Sequence, residues 1–126
     1  MKIQDIDIEI ESIKNQLIAK YQPVKVMLFG SASRDGETVN DLDFLIIKDG
    51  ISGSPLNRMR EVRSLLDKKM AADFIILTPS ELSQRQSLQD PMITDIINNG
   101  RVLYGKKHKT LKLTLYPAVF CLSVRC

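Results

Sequence analysis

The chain has 126 residues, of which 44% are apolar and 26% charged, so we expect one globular domain and no large second domain. The formal charge of +3 is unevenly spread, because residues 106–126 hold five of the 18 basic side chains and no acid. Residues 1–105 therefore carry a small acidic excess. Direct nucleic-acid binding is not expected, since it needs a basic face on the folded surface.

Nothing in the sequence indicates a secreted or membrane protein. The first residues, MKIQDIDIEIESIK, alternate acids with isoleucines and lack the apolar core of a signal peptide. No run of residues is long and apolar enough to cross a bilayer. Cys121 and Cys126 have no partner at a zinc-binding spacing. We therefore expect a cytoplasmic protein with a domain at 1–105 and a basic, apolar tail at 106–126 of unknown role.

The first half of the chain predicts one helix and two strands. Isoleucine and leucine recur at helical spacing over 4–20, which indicates an amphipathic helix. The short apolar run 24–29 ends at a glycine and predicts a buried strand. Small and polar residues over 30–40 predict a loop, and 42–47 predicts the second strand.

The rest of the chain contains three sites at which a capping residue precedes proline: Ser54-Pro55, Thr78-Pro79 and Asp90-Pro91. The predicted elements are a helix at 55–69, a strand at 72–77, helices beginning at Pro79 and Pro91, and a strand at 101–104. The resulting order, α-β-β-α-β-α-α-β, predicts an α/β (α+β) fold with a sheet flanked by helices. The first strand connection is too short for a helical crossover, so we expect a mixed sheet.

Gly30-Ser31 directly follows the first buried strand. Glycine lets the backbone approach a ligand closely, and the following N–H groups and hydroxyl could bind an anion. Taken alone, a glycine that ends a strand is more often only a turn.

Asp41 and Asp43 lie two residues apart at the start of the second strand, so their carboxylates should share one face. Their repulsion should raise one pKa unless a cation offsets it, and Mg²⁺ prefers such oxygen ligands. The alternative is a solvated strand start.

Asp73 lies near the start of the third apolar strand. An ionised carboxylate inside a core strand costs several kcal/mol unless it is paired or bound to metal. An ion pair with an arginine of the preceding helix would satisfy this requirement as well as a metal would.

Together, Phe29-Gly30-Ser31, Asp41-Leu42-Asp43 and Ala72-Asp73-Phe74-Ile75 resemble the signature of the DNA polymerase β-like nucleotidyltransferase superfamily. Over about 5–105, the chain is most similar to its small members, the minimal nucleotidyltransferases. The sequence differs from the family in the loop, Gly-Ser-Ala-Ser-Arg-Asp-Gly. This loop has one basic residue fewer than the loop sequence common in the family, and one additional acid.

The resemblance implies a role for each matching residue. Gly30 and Ser31 would hold the β- and γ-phosphates of a nucleoside triphosphate, and Arg34 could reach a phosphate unless it is only a solvated loop charge. Asp41 and Asp43 would bind two Mg²⁺ ions. Asp73 would bind the catalytic ion and help to deprotonate the attacking hydroxyl.

The resemblance also implies a function. Such domains transfer AMP from ATP to a hydroxyl, and the minimal ones commonly pair with a helical HEPN-domain toxin whose tyrosine they modify as antitoxins. A non-catalytic module that neutralises its partner by occlusion is the alternative. An antibiotic-modifying enzyme is less favoured, since the chain lacks length for a drug-binding domain. The apolar tail makes an oligomer plausible.

Overall fold

The computed structural model describes residues 3–30 and 41–105. Four helices and four strands follow one another in the predicted order. They are α1 (Ile3–Lys20), β1 (Lys25–Phe29), β2 (Asp41–Ile47), α2 (Pro55–Leu65), β3 (Ala71–Leu77), α3 (Pro79–Ser87), α4 (Pro91–Asn99) and β4 (Arg101–Tyr104). The predicted tail, 106–126, lies outside the described residues.

The four strands form one mixed sheet in the order β3-β2-β1-β4. β1 is antiparallel to both of its neighbours, β2 and β4, whereas β2 and β3 run parallel. The short β1–β2 connection thus joins antiparallel strands, and α2 makes the longer crossover that parallel strands require. The α+β fold with a mixed sheet is confirmed.

Alternate residues of the strands contribute to two apolar clusters on opposite faces of the sheet. On one face, α1 and α2 cover the sheet, and the rings of Phe44 and Phe74 stack with centroids 5.4 Å apart. On the other face, Ile93 and Ile96 of α4 pack into a cluster that includes Leu45 of β2. Helices therefore flank the sheet on both sides, as the sequence predicts.

Local capping chemistry starts α2, α3 and α4. The Ser54 side chain accepts from the Asn57 N–H, and Asp90 accepts from the first N–H groups of α4. Thr78 and Glu81 exchange hydrogen bonds in a complete capping box. All three predicted helix starts are confirmed.

The predicted end of α2 at residue 69 is wrong, because the helix ends at Leu65. Polar groups of α1 bind the backbone that would otherwise continue the helix. Gln16 bonds both the N–H and the carbonyl of Asp67, and the buried Glu9 accepts from the N–H groups of the next turn, 69–70. These contacts connect distant parts of the chain, so the local apolar spacing could not reveal them.

One ion pair, between a buried arginine and a partly exposed glutamate, joins α2 to α3. Arg58, which is only 6% exposed, donates from Nη1 and Nη2 to the two carboxylate oxygens of Glu81, at 2.6 and 3.2 Å. Arg58 also donates to the carbonyl of Ile76 at 3.1 Å. This network lies near the carboxyl end of β3 and connects α2, the helix before that strand, to α3, the helix after it. No helix among the described residues combines the length and apolar character needed to span a membrane.

Candidate active site

Three strand ends meet at one end of the sheet. Because β1 is antiparallel to β2, the carboxyl end of β1 at Phe29 lies beside the amino end of β2, where Phe29 pairs with Asp43. Because β2 and β3 are parallel, β3 begins at the same end, where Asp43 pairs with Asp73. Asp43 thus occupies the central strand of this group, with Gly30 on one side and Asp73 on the other.

The three predicted acids share one face of the sheet. Leu42, Phe44 and Phe74 are buried in the cluster under α1 and α2, so the alternating residues Asp41, Asp43 and Asp73 face the opposite side. Neighbouring strands lie about 4.8 Å apart, which brings paired side chains on one face within reach of each other. The same-face prediction for Asp41 and Asp43 is confirmed, and Asp73 joins them.

Asp43 is the half-buried member of the group, whereas Asp41 and Asp73 are exposed. Burial raises the pKa of the Asp43 carboxyl above its ordinary value, and the negative charges of Asp73 and Asp41 raise it further. A bound cation would relieve both effects, since it stabilises the ionised form.

The expectation that Asp73 is buried inside a core strand is wrong. Its side chain is 66% exposed, and β3 is an edge strand of the sheet. The desolvation argument therefore applies to Asp43. Asp73, like Asp41, is accessible to solvent.

Gly30 places backbone directly against the Asp43 carboxylate. Its φ of +75° is a conformation that side chains other than glycine rarely adopt, and a Cβ built on Gly30 would collide with Asp43 Oδ2. Glycine is thus required by both conformation and space. The close approach supports the prediction that Gly30 belongs to the site. Ser31 and Arg34, the other predicted phosphate-binding residues, lie outside the described residues.

Arg63 of α2 is a site residue that the sequence did not single out. Its Nη2 atom lies 3.2 Å from Asp73 Oδ1 and donates to the Ala72 carbonyl at the same distance. The sequence had indicated an ion pair between Asp73 and some arginine of the preceding helix, and the structure contains one. The only available signal was the position of Arg63 on the helix before the third acid.

A cleft of about 650 Å³ opens beside these residues, at the β3 edge of the sheet. Its walls are mostly polar and carry both signs of charge. The residues that line it are Asp41, Arg63, Leu66, Asp67, Lys68, Ala71, Ala72 and Asp73. A polar, open cleft with two of the three acids in its wall suits a charged or hydroxyl-bearing ligand better than an apolar one.

The carboxylates of Asp41, Asp43 and Asp73 lie on one face of the sheet, but they are not packed together as a metal site. Within residues 3–30 and 41–105, no three or more His, Cys, Asp or Glu side chains are arranged closely enough to hold a metal ion. The donor set still fits Mg²⁺, which prefers carboxylate oxygens, keeps several waters and needs only one or two protein carboxylates. Metal binding by Asp41, Asp43 and Asp73 stays a prediction, and it requires these side chains to move together.

Comparison with known proteins identifies the family of the chain. The family model described as "Polymerase beta, Nucleotidyltransferase" matches residues 11–109, which is well over half of the chain. The chain is similar to a candidate nucleotidyltransferase from Sulfolobus solfataricus whose crystal structure is known. The two sequences are 19% identical and the two structures match with a TM-score of 0.49, over 84% of this chain and 91% of that one. No curated protein matches the chain. The structural likeness is distant, so the assignment rests on the family model.

Proposed function

Because the chain belongs to the polymerase β nucleotidyltransferase family, we propose that it transfers AMP from ATP to a hydroxyl of a partner protein in a Mg²⁺-dependent reaction. Nucleotidyl transfer needs a place for the triphosphate, cation ligands and a base for the acceptor hydroxyl. The end of the sheet formed by β1, β2 and β3 offers residues for each task.

The observation that carries the proposal is the position of Asp43 between Gly30 and Asp73. A central carboxylate with a second one in register on the next strand can share a cation with it. Gly30, without a side chain, lets a triphosphate approach the same carboxylate from the β1 side. Burial first, and the negative charges of Asp73 and Asp41 second, raise the pKa of Asp43, which a bound cation would offset.

Each residue then has a distinct task. Asp41 and Asp43 would hold two Mg²⁺ ions, which supply charge stabilisation for the attacking hydroxyl and the departing pyrophosphate. Asp73 is exposed at the open cleft, so it can orient the acceptor hydroxyl and accept its proton as the new bond to phosphorus forms. Ser31 and Arg34 would bind the phosphates together with Gly30.

The acceptor belongs to another protein in this proposal. The cleft is open at the exposed edge of the sheet, where a side chain of a docked protein can enter. Following the resemblance to minimal nucleotidyltransferases, we propose a tyrosine of a HEPN-domain toxin as the acceptor and an antitoxin role for this chain. The reaction consumes ATP, which fits a cytoplasmic location.

The test is transfer of label from α-³²P-ATP to the HEPN-domain product of an adjacent gene, with Mg²⁺ present or removed by EDTA. We expect label on the partner with the wild type and at least a hundredfold slower labelling with Asp43→Asn. Asp49→Asn is the matched control, since Asp49 lies just past the other end of β2. No Mg²⁺-dependent labelling, or equal rates for both variants, would contradict the proposal.

One observation favours the alternative of a non-catalytic module. Arg63 already forms an ion pair with Asp73, so the third acid has a positively charged partner without a metal ion. If the protein neutralises its partner by occlusion alone, Asp43→Asn should protect cells from the partner as well as the wild type does. Loss of protection by this variant, with Asp49→Asn still protective, would exclude pure occlusion.

A further inference from the structure

Arg63 is the basic side chain that contacts the acidic group from the β3 side. Among the ion pairs of the described residues, only the one from Arg63 to Asp73 involves any of Asp41, Asp43 and Asp73. Within that part of the chain, Arg63 is therefore the counterion in direct contact with a group of three like charges.

The contact between Arg63 and Asp73 is weak. A single nitrogen lies 3.2 Å from a single carboxylate oxygen, so the two parallel hydrogen bonds of a bidentate pair are missing. The two side chains are 44% and 66% exposed, and ion pairs this exposed contribute little. A divalent cation carries twice the charge and competes readily for the same oxygen.

The backbone of Arg63 is held, whereas its guanidinium can exchange partners. Arg63 lies in the last turn of α2, and its carbonyl accepts from the N–H of Leu66 at 3.3 Å. Lys20 of α1 donates to the neighbouring carbonyl of Leu65 at 3.0 Å and so fixes the helix end. The guanidinium also donates to the carbonyl of Ala72, a bond that does not depend on Asp73. Arg63 therefore keeps a partner if Asp73 leaves.

We propose that Arg63 is a displaceable counterion, which holds Asp73 at the β3 edge while the site is free of metal and yields it to an incoming divalent cation. This inference rests on the proposed function, because it takes Asp73 as a ligand of the cation. Arg63 acts through Asp73 and is a positioning residue. Its release leaves a positive charge in the wall of the cleft, where Lys68 also lies.

The test measures Mn²⁺ affinity by electron paramagnetic resonance, without nucleotide, for the wild type, Arg63→Gln and Arg60→Gln. Arg60 lies on the same helix and is exposed, and its side chain has no hydrogen bond or ion pair with the described residues, so its variant controls for loss of one positive charge. Removing the competitor should tighten Mn²⁺ binding about three- to tenfold with Arg63→Gln. Arg60→Gln should change it less than about twofold.

A second arm isolates the coupling to Asp73. In the Asp73→Asn background, Arg63→Gln should no longer tighten Mn²⁺ binding, because the competition needs the carboxylate. In the wild type, the guanidinium ¹⁵N NMR signal of Arg63 should shift on addition of Mg²⁺, whereas that of Arg60 should not. Circular dichroism at 222 nm confirms that each variant is folded.

The outcomes separate this inference from the proposed function. Equal effects of Arg63→Gln and Arg60→Gln, or an effect that persists in Asp73→Asn, would overturn the displaceable counterion while leaving a metal-dependent enzyme intact. No Mn²⁺ binding by the wild type, with or without ATP, would overturn both.

Discussion

Replacing Glu81 by glutamine should destabilise the fold while leaving unchanged the end of the sheet at which Asp41, Asp43 and Asp73 lie. In the wild type, Glu81 accepts two hydrogen bonds from the buried Arg58 and a third from the N–H of Thr78 at 2.9 Å. Glutamine removes the charge and turns an N–H₂ group toward one guanidinium nitrogen. The buried guanidinium then lacks a counterion, which costs far more than an exposed pair contributes.

The magnitude follows from the pKa. The hydrogen bond from Arg58 first, and that from the Thr78 backbone second, lower the pKa of Glu81 from 4.5 to about 2. A full conversion of this shift would be about 3.4 kcal/mol, but 37% of the side chain is exposed and solvent screens the pair. We therefore expect a loss of about 2 kcal/mol at pH 7.

The pH dependence has a definite sign. Because the folded pKa lies below the unfolded value, ionised Glu81 stabilises the fold above about pH 4.5, and this contribution is lost as the pH falls toward about 2. The difference in unfolding free energy between wild type and Glu81→Gln should therefore shrink across that window.

The assay is urea denaturation followed by circular dichroism at pH 7, 4 and 3. Glu11→Gln is the control, since Glu11 forms an exposed pair with Lys14 and should cost less than about 0.5 kcal/mol. Equal stability of the two variants at pH 7, or a loss for Glu81→Gln at pH 3 as large as that at pH 7, would contradict this role of Glu81.

The remaining predictions concern the site and its support. Gly30→Ala should weaken Mg²⁺-dependent ATP binding at least tenfold by calorimetry, because its Cβ would collide with the Asp43 carboxylate. Gly50 has the same sign of φ and open space around its Cβ, so Gly50→Ala should cost about 1–2 kcal/mol of stability yet keep binding. Asp43→Asn should raise the melting temperature in EDTA by a few degrees at pH 7 and not at pH 3. The reason is that burial and like charges raise the pKa of Asp43, so its ionised form destabilises the fold. An unchanged or lower melting temperature of the variant at pH 7 would contradict this. Glu9→Ala should cost about 2–4 kcal/mol in urea denaturation, because two backbone N–H groups lose their acceptor, whereas Glu11→Ala should cost less than about 0.5 kcal/mol.

Local signals made the elements predictable. A capping residue before proline at Ser54, Thr78 and Asp90 satisfies backbone groups within a few residues of itself, so the sequence alone indicates where those helices begin. The same holds for the shared face of Asp41 and Asp43, which follows from the two-residue period of a strand.

Contacts between distant residues were not predictable from those signals. The end of α2 depends on a hydrogen bond between Gln16 and Asp67, which are 51 residues apart. The Arg58–Glu81 pair likewise joins two helices that are separated in the chain by strand β3. Asp73 was expected to be buried because its neighbours are apolar. Its exposure depends on which strand forms the edge of the sheet, and local hydropathy does not carry that information.

The most direct test of the shared cation site is anomalous scattering from Mn²⁺ in crystals grown with a non-hydrolysable ATP analogue. We predict a manganese peak within about 2.5 Å of an Asp43 oxygen, with the ion also in contact with Asp41 or Asp73 and the triphosphate beside Gly30. Bound nucleotide with no manganese peak at Asp43 would contradict it.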